Sequence, residues 1–199
     1  LLGIQSNASA SLRWLKREKP DLDEAIQGLE DIRSDSTRAA DIVQALRALA
    51  RQAPLKRLPV QIDELVSGVV QLTATELANR NVALHTRLEA QCQVWGDSVQ
   101  IQQVVYNLII NAMEAIAGAG VPDGRIVISS TVRDGHVRVT FQDNGPGIGV
   151  PQREQVFDAF YTTKGSGMGM GLAICRSVIG AHGGTLLIED SEQGARLSF

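Results

Sequence analysis

Two cysteines, Cys92 and Cys175, stand far apart in 199 residues and share no Cys-x-x-Cys spacing. That argues against a disulfide framework or a zinc site and makes a reducing compartment the natural setting. Long apolar runs are missing too: none reaches the roughly 18 residues of a membrane span, and no signal peptide opens the chain. Neither sign of charge dominates. A net charge of −3 leaves no electrostatic footprint for nucleic acid. Neither a Walker A pattern nor a GxGxxG fingerprint occurs, which disfavours the usual nucleotide folds. The chain starts at Leu1-Leu2 without Met and stops at Phe199 inside an expected strand, so it reads as a fragment with room for an anchor elsewhere.

What is present falls into two units. In the first, Leu1, Ile4, Ala8, Leu12 and Leu15 recur at three- and four-residue steps, and Leu22, Ile26, Leu29, Ile32, Ala39, Val43, Leu46 and Leu49 do the same. Pro20 breaks the pattern between them, and Asp21 with Glu24 has the form of a capping box opening a second helix. The two apolar stripes suit pairing of two copies into a four-helix bundle. Residues 51–59, with Pro54 and Pro59, read as a linker. Beyond it the pattern is mixed. Strands are expected near Leu58–Gln61, Val82–Leu88, Gln91–Trp95, Arg125–Arg133, His136–Gln142, Thr185–Glu189 and Ala195–Phe199. Helices are expected over about Ile62–Asn79, Ser98–Ala117 and Met170–Ala181. The fold class is therefore α+β: residues 1–53 are expected to form a helical dimerisation hairpin, and residues 58–199 a mixed α/β unit.

Three segments carry chemistry. Asn107, Asn111 and Glu114 lie at i, i+4 and i+7, sharing one face of an otherwise apolar helix. The two amides are either satisfied core groups or, through a carbonyl oxygen, hard ligands of the kind magnesium accepts. Asp143-Asn-Gly-Pro-Gly-Ile-Gly149 follows a strand, and its glycines permit a close backbone approach to a flat ligand. A carboxylate there can accept a bond from an exocyclic amine, though Asp-Asn-Gly is also an everyday turn. Lys164-Gly-Ser-Gly-Met-Gly-Met-Gly171 leads into a helix. Its alternate glycines free successive N–H groups, and the helix N-terminus and Lys164 add positive charge, so it reads as a phosphate loop or, failing that, a plain flexible one.

Together and in this order, the three segments resemble the ATPase fold shared by histidine kinases, DNA gyrase, the large heat-shock chaperones and mismatch-repair ATPases. Asn107–Glu114 looks like that family's N box, Asp143–Gly149 its G1 box, Phe157–Phe160 its F box, and Gly165–Gly171 its G2 box. The resemblance implies that residues 58–199 are an α/β sandwich of the histidine-kinase ATPase type, carrying a magnesium–ATP site. In it Asn111 ligates the metal, Asp143 holds the adenine amine, and Gly145 and Gly147 line the base. Lys164, Gly165, Gly167, Gly169, Gly171 and Leu172 take the phosphate side, and residues from Val156 to Gly169 form a lid. Hydrolytic members place a Glu base where Asn107 stands. An Asn cannot take a proton from water, so the resemblance favours a kinase. Asn107 and Glu114 are then the candidate catalytic groups.

The N-terminal hairpin resembles the dimerisation and phosphotransfer hairpin of sensor histidine kinases, closest to the nitrogen-fixation and nitrogen-regulation type. What this implies is a homodimeric, cytoplasmic kinase core of a two-component system, using ATP and Mg2+ and passing phosphoryl from a histidine to an aspartate of a response-regulator receiver. The family's acceptor histidine precedes the residue matching Leu1. The fragment is thus expected to bind ATP without phosphorylating itself. His85, His136 and His182 are expected to be structural or solvent-facing, Cys92 and Cys175 to be small buried hydrophobes, Trp14 to pack near the base of the bundle, and Trp95 to pack on the sheet. The pattern departs from the family at Ala195, where a Thr is common, and at Gly180, where a Glu is. A clamp-type ATPase and a non-catalytic nucleotide-binding module remain the rival readings.

Overall fold

The computed structural model describes residues 2–50, 57–163 and 169–199, with the side chains of residues 2, 37, 38 and 40–50 left out of the description. Two compact units part at residues 51–52. The first is a helical hairpin of α1 (Leu2–Leu15) and α2 (Leu22–Ala50). Half of the expected capping box forms: Asp21 Oδ1 accepts from the Glu24 N–H at 3.3 Å, whereas the Asp21 N–H donates to the Trp14 carbonyl at 3.3 Å. The helices approach closely because Ser11 and Ala25 are buried and Gly28 lies directly on Ser11. Leu12, Leu15, Leu22, Ile26 and Leu29 stay exposed within this unit. Trp14 carries the Arg17 guanidinium 3.6 Å from its ring centre. Val43, Leu46 and Leu49, expected in the second stripe, have side chains outside the described set.

The second unit is an α/β sandwich. Its elements are β1 (Leu58–Gln61), α3 (Ile62–Asn79), β2 (Val82–Leu88), β3 (Gln93–Gly96), α4 (Ser98–Gly118), β4 (Gly124–Arg133), β5 (His136–Asp143), α5 (Gly171–Ala181), β6 (Leu187–Glu189) and β7 (Arg196–Ser198). Two short 3-10 turns, Val150–Gln152 and Gln155–Phe157, lie between β5 and α5 and were not anticipated. Five strands make one sheet in the order β2-β4-β5-β7-β6, and β1 and β3 make a separate antiparallel pair. Only β2 and β4 run parallel within the larger sheet. Ile126, Ile128 and Ser130 of β4 alternate inward, as the period of a half-buried strand requires. They meet a helical layer whose core includes Val66, Val69, Val104, Ile109, Met113 and Cys175.

Local chemistry fixes the boundaries. Asp134 (φ 51°) and Gly135 (φ 75°) both take left-handed backbone, the requirement of a tight two-residue hairpin. Asp97 caps α4, its Oδ1 accepting from Val99 N at 3.1 Å and Gln100 N at 3.2 Å. The strand expected from Gln91 starts two residues later, because Gln91 takes φ 43° and gives its N–H to Asp63 Oδ2 at 2.8 Å. Trp95 is 68% exposed instead of packed on the sheet, and Cys92 is only half-buried. Both lie in or beside the small β1–β3 pair, too narrow to cover a large side chain. Among the described residues no helix is long and apolar enough to cross a membrane.

Candidate nucleotide site

The site gathers where α4, the end of β5 and the start of α5 meet. Asn107, Asn111 and Glu114 sit half-buried on α4. Gly171 opens α5 directly against Asn111: a Cβ there would stand 3.5 Å from Asn111 Nδ2 and 3.9 Å from its Oδ1. One turn further, the Cys175 thiol donates to the Val104 carbonyl of α4, with Sγ 3.9 Å from the oxygen. The two helices therefore pair antiparallel, with the Asn111 amide against the first turn of α5. Leu172, next along α5, is half-buried. A helix start packed on carbonyl-bearing side chains offers backbone N–H groups and hard oxygens together, which is the donor set a metal–phosphate needs.

Asp143 ends β5 and is buried. Its Oδ1 accepts from Gly145 N at 2.8 Å and Ala195 N at 3.1 Å. Both bonds use one oxygen, which leaves Oδ2 for another donor. Burial raises the Asp143 carboxyl above its ordinary value, against the lowering by the Ala195 and Gly145 N–H groups. The neighbouring Asn144 is spent on the scaffold: its Oδ1 accepts from Arg125 N at 2.7 Å and its Nδ2 donates to the Asp123 carbonyl at 3.0 Å. Gly145 lies over the backbone of Ile116 and Ala115, joining this loop to α4.

The crossing that holds the loop in place escaped sequence reasoning. Gly194 (φ +68°) lies on the Asp143 carbonyl, and a Cβ on Gly147 (φ +78°) would stand 2.9 Å from the Gly194 carbonyl. Two glycines from segments far apart in sequence are thus stacked at contact, and neither position admits a side chain. The only local signal was Gln193-Gly194 between two alternating runs, which reads as an ordinary turn. Ala195, where a Thr is common in the resembling family, contributes its backbone N–H.

Of the residues in the glycine-rich loop, Gly169 (φ +66°) and Gly171 are placed, and the Phe160 N–H donates to the Gly169 carbonyl at 3.1 Å. Lys164, Gly165 and Gly167 lie outside the described residues. Phe157 is covered by Arg176, 5.2 Å from its ring centre. The histidines stay away from this cluster: His85 and His136 are exposed on strands. His182 Nε2 accepts from Asp97 N at 2.9 Å, and its Nδ1 bonds the Val178 carbonyl at 2.8 Å. His182 therefore ties α5 to the cap of α4, with both nitrogens used. Among the described residues no group of three His, Cys, Asp or Glu could hold a metal by itself. Magnesium, which draws much of its shell from phosphate and water, fits a single amide oxygen better than a cage.

Residues 96–199 match the family described as histidine kinase-, DNA gyrase B-, and HSP90-like ATPase. The whole chain is 36% identical over 203 residues to the sensor histidine kinase TmoS of Ectopseudomonas mendocina, aligning with 21% of that protein. It is 31% identical over 196 residues to the sensor protein FixL of Bradyrhizobium diazoefficiens, covering 98% of this chain and 39% of that one. The nucleotide-free catalytic domain of histidine kinase ThkA superposes with a TM-score of 0.66 at 31% identity, over 73% of this chain and 94% of that domain. Histidine kinase ThkA in complex with the response regulator protein TrrA superposes with a TM-score of 0.76 at 26% identity, over 99% of this chain and 56% of the other. The chain spans 21% and 39% of the two curated relatives' lengths. With its sequence, fold and helix–loop arrangement in agreement, the chain belongs to the histidine kinase-, DNA gyrase B- and HSP90-like ATPase family, on its sensor histidine kinase branch.

Proposed function

We propose that this chain is the dimerisation and ATP-binding core of a two-component sensor kinase, loading magnesium–ATP for transfer of its γ-phosphoryl group to a histidine. The observation that carries the reading is the pairing of α4 with α5, which sets Asn111 against the first turn of the helix that follows the glycine-rich loop. Asp143 Oδ2 accepts the adenine amine, while Gly145 and Gly147 admit the flat base. Asn111 Oδ1 is the protein ligand of magnesium, which when bound neutralises charge on the β- and γ-phosphates. The loop amides of Gly165, Gly167, Gly169 and Gly171, with Leu172 beside them and Lys164, hold the phosphates. Catalysis is then chiefly positioning and charge neutralisation. Asn107 supplies no base for water, which favours storage of the phosphoryl group over hydrolysis. Glu114 shares the Asn111 face and is the candidate for accepting a proton from the acceptor histidine.

The assignment is tested by titration. Asn111→Ala should weaken ATP binding in the presence of Mg2+ by about tenfold or more, while binding in EDTA changes by no more than about twofold. Equal affinity of variant and parent for Mg–ATP would remove Asn111 from the site.

The hairpin completes the assembly as a homodimer. Leu12, Leu15, Leu22, Ile26 and Leu29 are all more than 40% exposed in the single chain. Burying such a stripe against its twin contributes roughly 25 cal/mol for each Å² removed from water. Sedimentation should therefore show a concentration-dependent dimer, and a chain beginning at residue 57 should run as a monomer. A full-length chain that stays monomeric at high micromolar concentration would contradict the bundle. The partner reading, a response-regulator receiver, rests on the complex seen for the similar kinase. Use of ATP puts the chain's work on the cytoplasmic side.

A further inference from the structure

α5 buries Ile174, Val178 and Ile179, and α4, packed against it, buries Val104, Val105 and Leu108. Apolar burial is non-directional, so such a contact resists separation better than sliding. The long Cys175 thiol bond to Val104, at 3.9 Å, adds little hold along the axis. A stronger directional link stands at the C-terminal end of α5. His182 is the C-cap residue there, its Nδ1 bonding the Val178 carbonyl at 2.8 Å and its Nε2 bonding Asp97 N at 2.9 Å. A carbonyl only accepts and a backbone N–H only donates. The imidazole is therefore neutral, with its hydrogen on Nδ1 and its lone pair on Nε2. Asp97 is itself the N-cap of α4, so the bond joins the cap of one helix to the cap of the other. The chain is shaped to allow it: Gly96 is buried, and a Cβ there would stand 3.0 Å from His182 Cδ2. Arg57 Nη2 donates to the Ala181 carbonyl at 2.8 Å and holds the same end of α5 from the β1 side.

We propose that His182 is a positioning residue for the nucleotide: it sets the axial register of α5 on α4, and with it the place of the amides at the start of α5 relative to the Asn111 carboxamide. α5 has 11 residues and is about 16 Å long. His182 therefore acts through the helix, not by touching the nucleotide. A hydrogen-bonded helix keeps its length, so a slip at His182 reappears at Gly171, which lies on Asn111. The inference rests on the magnesium–ATP reading and adds to it a residue from the far end of the helix that follows the glycine-rich loop.

The test compares His182→Asn with His182→Gln. The Asn amide reaches the place of Nδ1 and leaves Asp97 N without an acceptor, whereas the Gln amide reaches the place of Nε2 and restores one. Calorimetric titration of the whole chain should show Mg–ATP weakened by about tenfold in His182→Asn and within about threefold of the parent in His182→Gln. Adenosine, which on the same reading meets Asp143 but not the phosphate side, should bind all three proteins within about twofold of one another by NMR titration. Nitrogen NMR of the parent should show Nδ1 protonated and a coupling across the hydrogen bond from the Asp97 amide to His182 Nε2. If His182→Asn does not fold, Gly96→Ala, whose Cβ presses on the imidazole, should weaken both that coupling and Mg–ATP binding. An Asn variant that binds Mg–ATP like the parent overturns the proposal, as does a Gln variant no better than the Asn one. A loss of equal size for adenosine, which would mark general loosening, or a parent without the coupling also overturns it. Failure of a parent that shows the coupling to bind Mg–ATP would instead overturn the reading of the site, and with it the role given to His182.

Discussion

Gly194→Ala should destabilise the chain by about 2–5 kcal/mol and abolish measurable ATP binding. The cost has two parts. A left-handed backbone with a Cβ costs roughly 1–2 kcal/mol, and Gly194 takes φ +68°. The added methyl group would also stand 2.6 Å from the Asp143 carbonyl carbon and 2.8 Å from Asp143 Oδ1, so backbone must move, not a flexible side chain. Overpacking of this sort costs roughly 1–3 kcal/mol more. The loop that must move also carries the Ala195 N–H bonded to Asp143, which explains why binding falls with stability. Gly183→Ala separates the two costs. Gly183 has φ +85°, but a Cβ there meets nothing within 4 Å, so only the conformational part should appear. Thermal unfolding of both variants, with ATP titration at a temperature where each is folded, measures the difference. A Gly194→Ala variant that melts with the Gly183→Ala variant and binds ATP normally would refute the crossing as the site's support.

Asp143→Asn should have opposite effects on stability and on function. Burial holds the folded-state Asp143 carboxyl above its ordinary value of 3.8, despite the lowering by the Ala195 and Gly145 N–H groups. Between 3.8 and that raised value the folded chain keeps a proton the unfolded chain has released, so stability falls as pH rises through the window. Above it, the buried charge is a constant cost to the fold. The amide carries no charge, and its Oδ1 can still accept from Gly145 and Ala195. Asp143→Asn should therefore melt higher than the parent at neutral pH, with the gap closing as pH falls toward 3.8. ATP affinity should move the other way by about 10- to 100-fold, because a charge-assisted bond to the base's amine becomes an amide that presents a donor to a donor. The parent's own ATP affinity should decline on acidification as Asp143 takes up its proton, and the variant should lack that limb. Melting curves from pH 3 to 8 and paired titrations test both effects, and a variant that neither gains stability nor loses ATP would show that the carboxylate is not the base-recognising group.

Much of the architecture could be read along the chain because it is set by neighbours. The helix over Ile62–Asn79, the capping of the second helix by Asp21 and the hairpin between Arg125–Arg133 and His136–Gln142 each draw on interactions within a few residues. The same holds for the order of Asn107, Asn111, Asp143 and the glycine-rich loop, from which the family resemblance was drawn. Where the reading slipped, a distant partner had intervened: Asp63 took the Gln91 N–H and shortened the expected strand, and the small β1–β3 pair left Trp95 uncovered. Residue types and local spacing by themselves determined an α+β chain with two units and named the amides, carboxylate and glycines that could face a nucleotide. Only the tertiary structure decided that β2 pairs parallel with β4, that the Cys175 thiol meets the Val104 carbonyl, and that Ala195 and Gly194 close on Asp143 from 52 and 51 residues away. The physical reason is that periodicity and turn chemistry are written in adjacent residues. Which backbone N–H meets a buried carboxylate depends instead on how the sheet orders its strands, and no local pattern carries that information.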